Sequence, residues 1–164
     1  MTTGSATESY RQARDALLAL SGDHRAAVEE FRWPDLGPRF NWAFDWFDSY
    51  ARDNDATALW IVEEDGSEAR YSFADMVRRS ERVAAWLADR GVARGDRVLL
   101  MLGNQVELWE TMLAVMRLGA VILPTTTALG PADLADRIGR GGVGHVVTSA
   151  ANAAKFADVP GDYG

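Results

Sequence analysis

Along Tyr71–Pro124 the apolar residues alternate between helical spacing and unbroken runs, and the rest of the chain is arranged around this stretch. From Phe73 the apolar positions Phe73, Met76, Val77, Val83, Ala84, Trp86 and Leu87 recur at helical spacing, with Arg78, Arg79, Glu81 and Arg82 between them. Ser72 stands as an N-cap, and Asp75 three residues on makes it close to a capping box. Gly91 falls where a left-handed cap ends such a helix. After the tight turn Arg94-Gly95-Asp96, the run Val98-Leu99-Leu100-Met101-Leu102 suits a strand covered on both faces. A second amphipathic helix runs from about Glu107 to Leu118 and closes at Gly119; Val121-Ile122-Leu123 is another strand, stopped by Pro124. Helix, buried strand, helix, buried strand predicts a parallel sheet with helical cover.

The flanks are less regular. Residues 1–9 are small and polar and read as a frayed start. Tyr10–Leu20 and Asp23–Phe31 predict two short amphipathic helices broken at Ser21-Gly22, the second capped by Asp23. Trp33-Pro34 ends that pattern, because proline disfavours α geometry in the residue before it. Asn41 caps a further helix to about Arg52, with Phe44, Phe47 and Tyr50 on one side and Asp45, Asp48 and Arg52 on the other. Its aromatic content suits either packing by bulky side chains or a docking surface for another chain. Ala58–Glu63 and Glu68–Tyr71 form a β-hairpin around Asp65-Gly66. Beyond Pro124 come a polar loop, Thr125–Gly130, and a helix opened by Pro131 and running to about Ile138. A β-branched strand His145–Thr148 and a weak helix Ala150–Ala157 follow. The fold class is α/β: a mostly parallel sheet flanked by helices, with a β-hairpin.

Composition narrows the function classes. Of 164 residues, 48% are hydrophobic and 25% charged, which is ordinary for a globular chain. A net charge of −7 with no basic run argues against nucleic acid or an anionic membrane as partner. The absence of cysteine removes disulfides, thiolate metal sites and a Cys nucleophile. No apolar run approaches the length of a bilayer span, and the N-terminus lacks a signal-peptide pattern, so the cytoplasm is the expected compartment.

Candidate chemistry is sparse. Gly139-Arg140-Gly141-Gly142-Val143-Gly144 matches G-x-G-x-x-G in form, but it follows a helix and precedes a strand, the reverse of a dinucleotide site. Lys155, the only lysine, is expected to be solvated, and no phosphate loop closing on lysine is present. His24 and His145 have no ligand-like spacing to Asp or Glu, so neither a metal site nor a His-based triad is supported. Glu29-Glu30 and Glu63-Glu64 read as solvated. Gly103-Asn104-Gln105 lies just past a parallel strand, where open α/β sheets place sites, although a structural turn is the preferred reading. Composition and spacing by themselves stop at an α/β domain of unassigned activity.

Several blocks in order carry a resemblance. They are Tyr71-Ser72-Phe73-Ala74-Asp75, Leu87–Val92, Arg94–Val98, Leu102-Gly103-Asn104 with Glu107-Leu108-Trp109, Ala114–Val121 with Pro124, Asp133–Ile138, and Val146-Val147-Thr148. Over residues 38–150 the chain resembles the opening of the large domain of adenylate-forming enzymes, the acyl-CoA synthetase and luciferase superfamily. Phe40-Asn41-Trp42-Ala43 with Ala58-Leu59-Trp60 looks most like the medium-chain acyl-CoA synthetase branch.

The resemblance implies a two-step ligase in which a fatty or other carboxylic acid and ATP give acyl-adenylate and pyrophosphate, with Mg2+ neutralising phosphate charge, and the CoA thiol then displaces AMP. It also implies that the phosphate loop, adenine and acyl positions and the catalytic lysine lie downstream. The chain is then an N-terminal fragment with no catalytic residue of its own, a scaffold that partners the remainder of the large domain and is able to self-associate when alone. The implied division is a helical extension over 1–37 and the incomplete subdomain over 38–164. Phe44, Trp46, Trp60 and Trp86 are the aromatics assigned to core and interface. One site carries over: the loop residues Thr126, Thr127 and Ala128 would approach the CoA nucleotide, although the family's branch holds a glutamine at the position of Ala128. The competing readings are a complete, non-catalytic interaction or acyl-binding module, and an independent nucleotide-binding domain.

Overall fold

The computed structural model describes residues 5–164. The chain divides into two compact units, one up to Tyr50 and the other Ala51–Gly164.

In the first unit, helix α1 spans Ala6–Ala19 and α2 spans His24–Glu30. Helix α1 starts earlier than the apolar pattern suggests. Ser5 accepts a hydrogen bond from the Glu8 amide, and Glu8 places a negative charge in the first turn, so residues 6–9 are helical rather than frayed. The expected fraying of residues 1–4 lies outside the described residues. Asp23 caps α2 by accepting from the Ala26 amide, as its position predicts.

Asn41 caps the next element, but that element opens as a π-turn, Trp42–Phe47, and only then continues as α3, Asp48–Ala51. The Asp48 amide reaches back five residues to the Ala43 carbonyl. Each residue of so wide a turn advances less around the axis than in an α-helix, so the expected faces drift. Trp46 and Phe47 are buried, Phe44 is half exposed, and Asp48 is buried instead of solvated. Tyr10 stacks on Phe40 at 5.4 Å and tilts against Trp46 at 4.8 Å, giving this unit an aromatic cluster.

In the second unit, β1 (Thr57–Val62) and β2 (Glu68–Ser72) form the antiparallel hairpin, and Gly66 takes the positive φ of its turn. Helix α4, Phe73–Asp89, follows at once. Its capping box is complete: the Asp75 amide donates to Ser72 Oγ at 3.0 Å, and the Ser72 amide donates to Asp75 Oδ2 at 3.0 Å. The Ser72 amide and hydroxyl, helped by Arg78, hold the Asp75 carboxyl below its ordinary pKa. At the other end Gly91 donates to the Ala88 carbonyl and Val92 to that of Leu87, the double bond pattern of a left-handed glycine cap.

Strand β3 (Arg97–Met101) is the centre of a three-stranded parallel sheet, with β4 (Val121–Pro124) on one side and β5 (His145–Thr148) on the other. Helix α5, Val106–Leu118, connects β3 to β4, and α6, Pro131–Gly141, connects β4 to β5. Successive β3 side chains point to opposite faces. Val98 packs with Ala84, Leu87, Ala114 and Val115 of α4 and α5, while Leu99 and Met101 pack with Leu134 and Ile138 of α6. Val98, Leu99, Leu100 and Met101 have essentially no exposure, which is why the run carries no polar residue. Between α4 and α5 the half-buried Arg79 pairs with buried Glu110, and buried Arg117 Nε donates to Ser80 Oγ at 3.1 Å. Gly119, at φ 69°, turns α5 into β4.

The tail is helical for one turn, Ala150–Ala153, and then tightens to a 3₁₀ turn, Ala154–Phe156. Of the four aromatics assigned to core and interface, Trp46 is core, whereas Phe44, Trp60 and Trp86 are each about half exposed. Trp60 lies under Arg70 at 4.0 Å and Trp86 under Arg90 at 3.8 Å, so their ring faces are covered by cations rather than by the core. The helical spacing that places Trp86 with Leu87 spans two faces, and the α4 core uses Leu87.

Candidate functional site

Parallel strands put their carboxyl ends on one edge, and α/β sheets bind ligands there because the connecting loops open a crevice. On this edge β3 releases Gly103-Asn104-Gln105, β4 releases Thr125–Gly130, and β5 releases Ser149. The chain after β3 goes to α5 on one face, while the 3₁₀ turn after β5 packs on the α6 face through Phe156. The exits diverge between β3 and β5, and Thr148 Oγ1 bridges them by donating to the Met101 carbonyl at 3.0 Å.

The loop after β4 is anchored at its base. The Thr125 amide continues the sheet by donating to the Leu100 carbonyl at 2.9 Å, and its buried hydroxyl donates to the Leu123 carbonyl at 3.1 Å. Arg137 donates to the Pro124 carbonyl at 3.2 Å. Thr126 Oγ1 accepts from the Ala128 amide at 3.3 Å, a local turn of the kind threonine hydroxyls make. Thr126 and Ala128 are exposed and Thr127 is half-buried.

Lys155 is not solvated as expected: it is half-buried, and its ammonium donates to the Thr127 carbonyl. The pairing links residues far apart in sequence, so spacing gave no signal for it. Gly103-Asn104-Gln105 is a structural turn, closed by the Gln105 amide on the Gly103 carbonyl at 2.9 Å, and Gln105 starts α5 without a side-chain cap bond.

The remaining candidates lie elsewhere. Gly139 and Gly141 belong to α6 and Gly142 is its left-handed cap. A Cβ on Gly141 would lie 2.6 Å from Leu123 Cδ2, so this glycine permits close approach of helix to strand rather than to a phosphate. His24 is exposed at the start of α2. His145 Nε2 sits 3.6 Å from Asp96 Oδ2, a proximity created by the β3–β5 register and invisible in the sequence. That pair is at the amino ends of the strands, opposite the threonine loop. Glu29, Glu30, Glu63 and Glu64 are exposed. A groove of about 330 Å³ lies against Trp86, Leu87, Arg90, Val92 and His145–Val147, also away from the threonine loop. Among the described residues no three His, Asp or Glu side chains converge as a metal site would require, and no helix is long and apolar enough to cross a membrane.

Residues 46–162 match the AMP-binding enzyme family, and the chain belongs to that family. Human mitochondrial acyl-coenzyme A synthetase ACSM5 is 32% identical over 117 residues, covering 67% of this chain and 20% of that protein. The crystal structure of a Brucella canis acyl-CoA synthetase superposes with a TM-score of 0.65 at 37% identity, over 68% of this chain and 20% of that one. The Mycobacterium tuberculosis fatty acyl CoA synthetase does so with a TM-score of 0.62 at 27% identity, over 75% and 25%. The chain therefore spans a fifth to a quarter of the length of these relatives. The family and fold that the blocks from Tyr71 to Thr148 resemble are the ones found, and the chain covers only part of the AMP-binding domain.

Proposed function

We propose that this chain is the N-terminal portion of an acyl-CoA synthetase and that its role there is structural. In this reading the longer ligase joins a carboxylic acid to ATP, releases pyrophosphate, and passes the acyl group from adenylate to the CoA thiol. ATP, Mg2+ and CoA are the cofactors of that ligase. The observation that carries the reading is the family match over residues 46–162 of a chain that covers about a fifth of its synthetase relatives.

Within the ligase, residues 38–164 form the opening subdomain and 1–37 a helical extension. The three-stranded parallel sheet presents its carboxyl edge to the remainder of the large domain. Thr126, Thr127 and Ala128 are the CoA contact, through the two threonine hydroxyls and backbone groups; Ala128 adds no polar side chain, and its amide already donates to Thr126 Oγ1. The acyl-chain pocket belongs to the partner portion. The cytoplasm is the proposed compartment, although the human relative carries a mitochondrial designation in its name.

The test is to read the open reading frame beyond Gly164 in the source DNA. A threonine-, serine- and glycine-rich loop closing on lysine within a few dozen codons supports the reading. A stop codon directly after Gly164 overturns it, leaving a non-catalytic module.

A further inference from the structure

Lys155 is the only lysine of the chain, and it is tied to the loop proposed to meet CoA. The 3₁₀ turn that carries it and the loop after β4 are joined in two independent ways. Leu129, two residues past Thr127, and Phe156, next to Lys155, pack against the same apolar group of Leu99, Met101, Leu134 and Ile138. Across 28 residues of sequence the Lys155 ammonium then donates to the Thr127 carbonyl.

The apolar packing sets the distance between the two segments but is indifferent to the orientation of the peptide groups. The hydrogen bond supplies that orientation. The loop's own backbone bonds serve Thr125 and Thr126: Thr125 donates to Leu100, and the Leu129 amide reaches the Thr126 carbonyl only at 3.4 Å. The Thr127–Ala128 peptide is held at both ends: its amide donates to Thr126 Oγ1 within the loop at 3.3 Å, and its carbonyl accepts from outside the loop from a charged donor, the stronger class of bond.

We propose that Lys155 is a positioning residue that fixes the Thr126–Ala128 loop and thereby sets the affinity of the ligase for CoA. The inference rests on the reading that this loop contacts CoA.

The experiment uses the full-length ligase and compares Lys155→Met, Lys155→Arg and the double variant Thr126→Val/Thr127→Val. Steady-state KM values for CoA, ATP and acid are measured, with hydrogen exchange of the peptide covering residues 124–130. Lys155→Met is expected to raise the CoA KM about three- to tenfold, the size of one lost charged hydrogen bond discounted for partial exposure. The KM values for ATP and acid stay put, exchange in the loop accelerates, and Lys155→Arg restores both. If the threonine double variant raises the CoA KM and Lys155→Met does not, the positioning role is wrong and the CoA reading stands. If neither variant moves the CoA KM, the CoA reading is wrong and the inference falls with it. If Lys155→Met raises all three KM values together and arginine does not rescue, Lys155 supports the fold generally, which also overturns the proposal.

Discussion

The two compact units of this chain use similar amphipathic patterns to opposite ends. In Ala51–Gly164, the apolar face of α4 is consumed: Met76, Val77, Ala84 and Leu87 are buried, and every β3 residue from Val98 to Met101 is sealed. In the first unit, α1 and α2 bury no residue, and Leu18, Val28 and Trp33 are exposed by 61%, 67% and 81%. Periodicity predicts α1, α2 and α4 alike but says nothing about whether their apolar faces are covered. What separates the regions is the parallel sheet, whose two faces each require a helix on top.

Breaking this contrast should show its largest effect at β3. Leu99→Ala is expected to cost about 2–5 kcal/mol, because a sealed strand cannot collapse around the void. Urea unfolding followed by circular dichroism measures it, and a loss below about 1 kcal/mol would mean the sheet is looser than described. Glu110→Ala comes next. It removes the partner of Arg79 between α4 and α5 and should cost about 1–3 kcal/mol in the same assay.

Ser72→Ala removes one arm of the capping box and should cost about 1 kcal/mol. The same box has a pH signature. The Asp75 carboxyl is held below its ordinary pKa in the folded chain, so its contribution is complete above the unfolded value of about 3.9 and is lost as pH falls through the lower, folded value. Asp75→Asn should flatten the acid side of the stability curve and leave the neutral side parallel to wild type; an unchanged acid limb would place the sensitivity elsewhere. The smallest effect is expected in the first unit. Leu18→Ser should change stability by no more than about 0.5 kcal/mol, as for exposed positions generally. If it matched Leu99→Ala, the contrast between the regions would collapse.

The features legible in the sequence were local ones. Ser72 and Asp75 lie within one turn of each other, Gly91 and Gly119 mark helix ends by backbone freedom alone, and the β3 run announces its burial by excluding polar residues. The features not legible depend on distance or on departures from ideal geometry. The π-turn at Trp42–Phe47 shifted Phe44 outward and Asp48 inward relative to an α-helical count. The His145–Asp96 approach and the Lys155–Thr127 bond are products of sheet register and tail packing. The candidate site shows the same division. The position of Thr126–Ala128 after a strand could be read from Pro124 and the polar loop, whereas the residue that holds the loop could not.

The role proposed for this chain, scaffold without chemistry of its own, is open to a direct assay. The assay is carboxylate-dependent exchange of labelled pyrophosphate into ATP, run in parallel on the 164-residue chain and on the proposed longer ligase. Exchange is expected from the proposed ligase and none above background from the shorter chain. Exchange catalysed by the 164-residue chain alone would contradict the proposed role, because the adenylating groups would then have to lie among the residues described above.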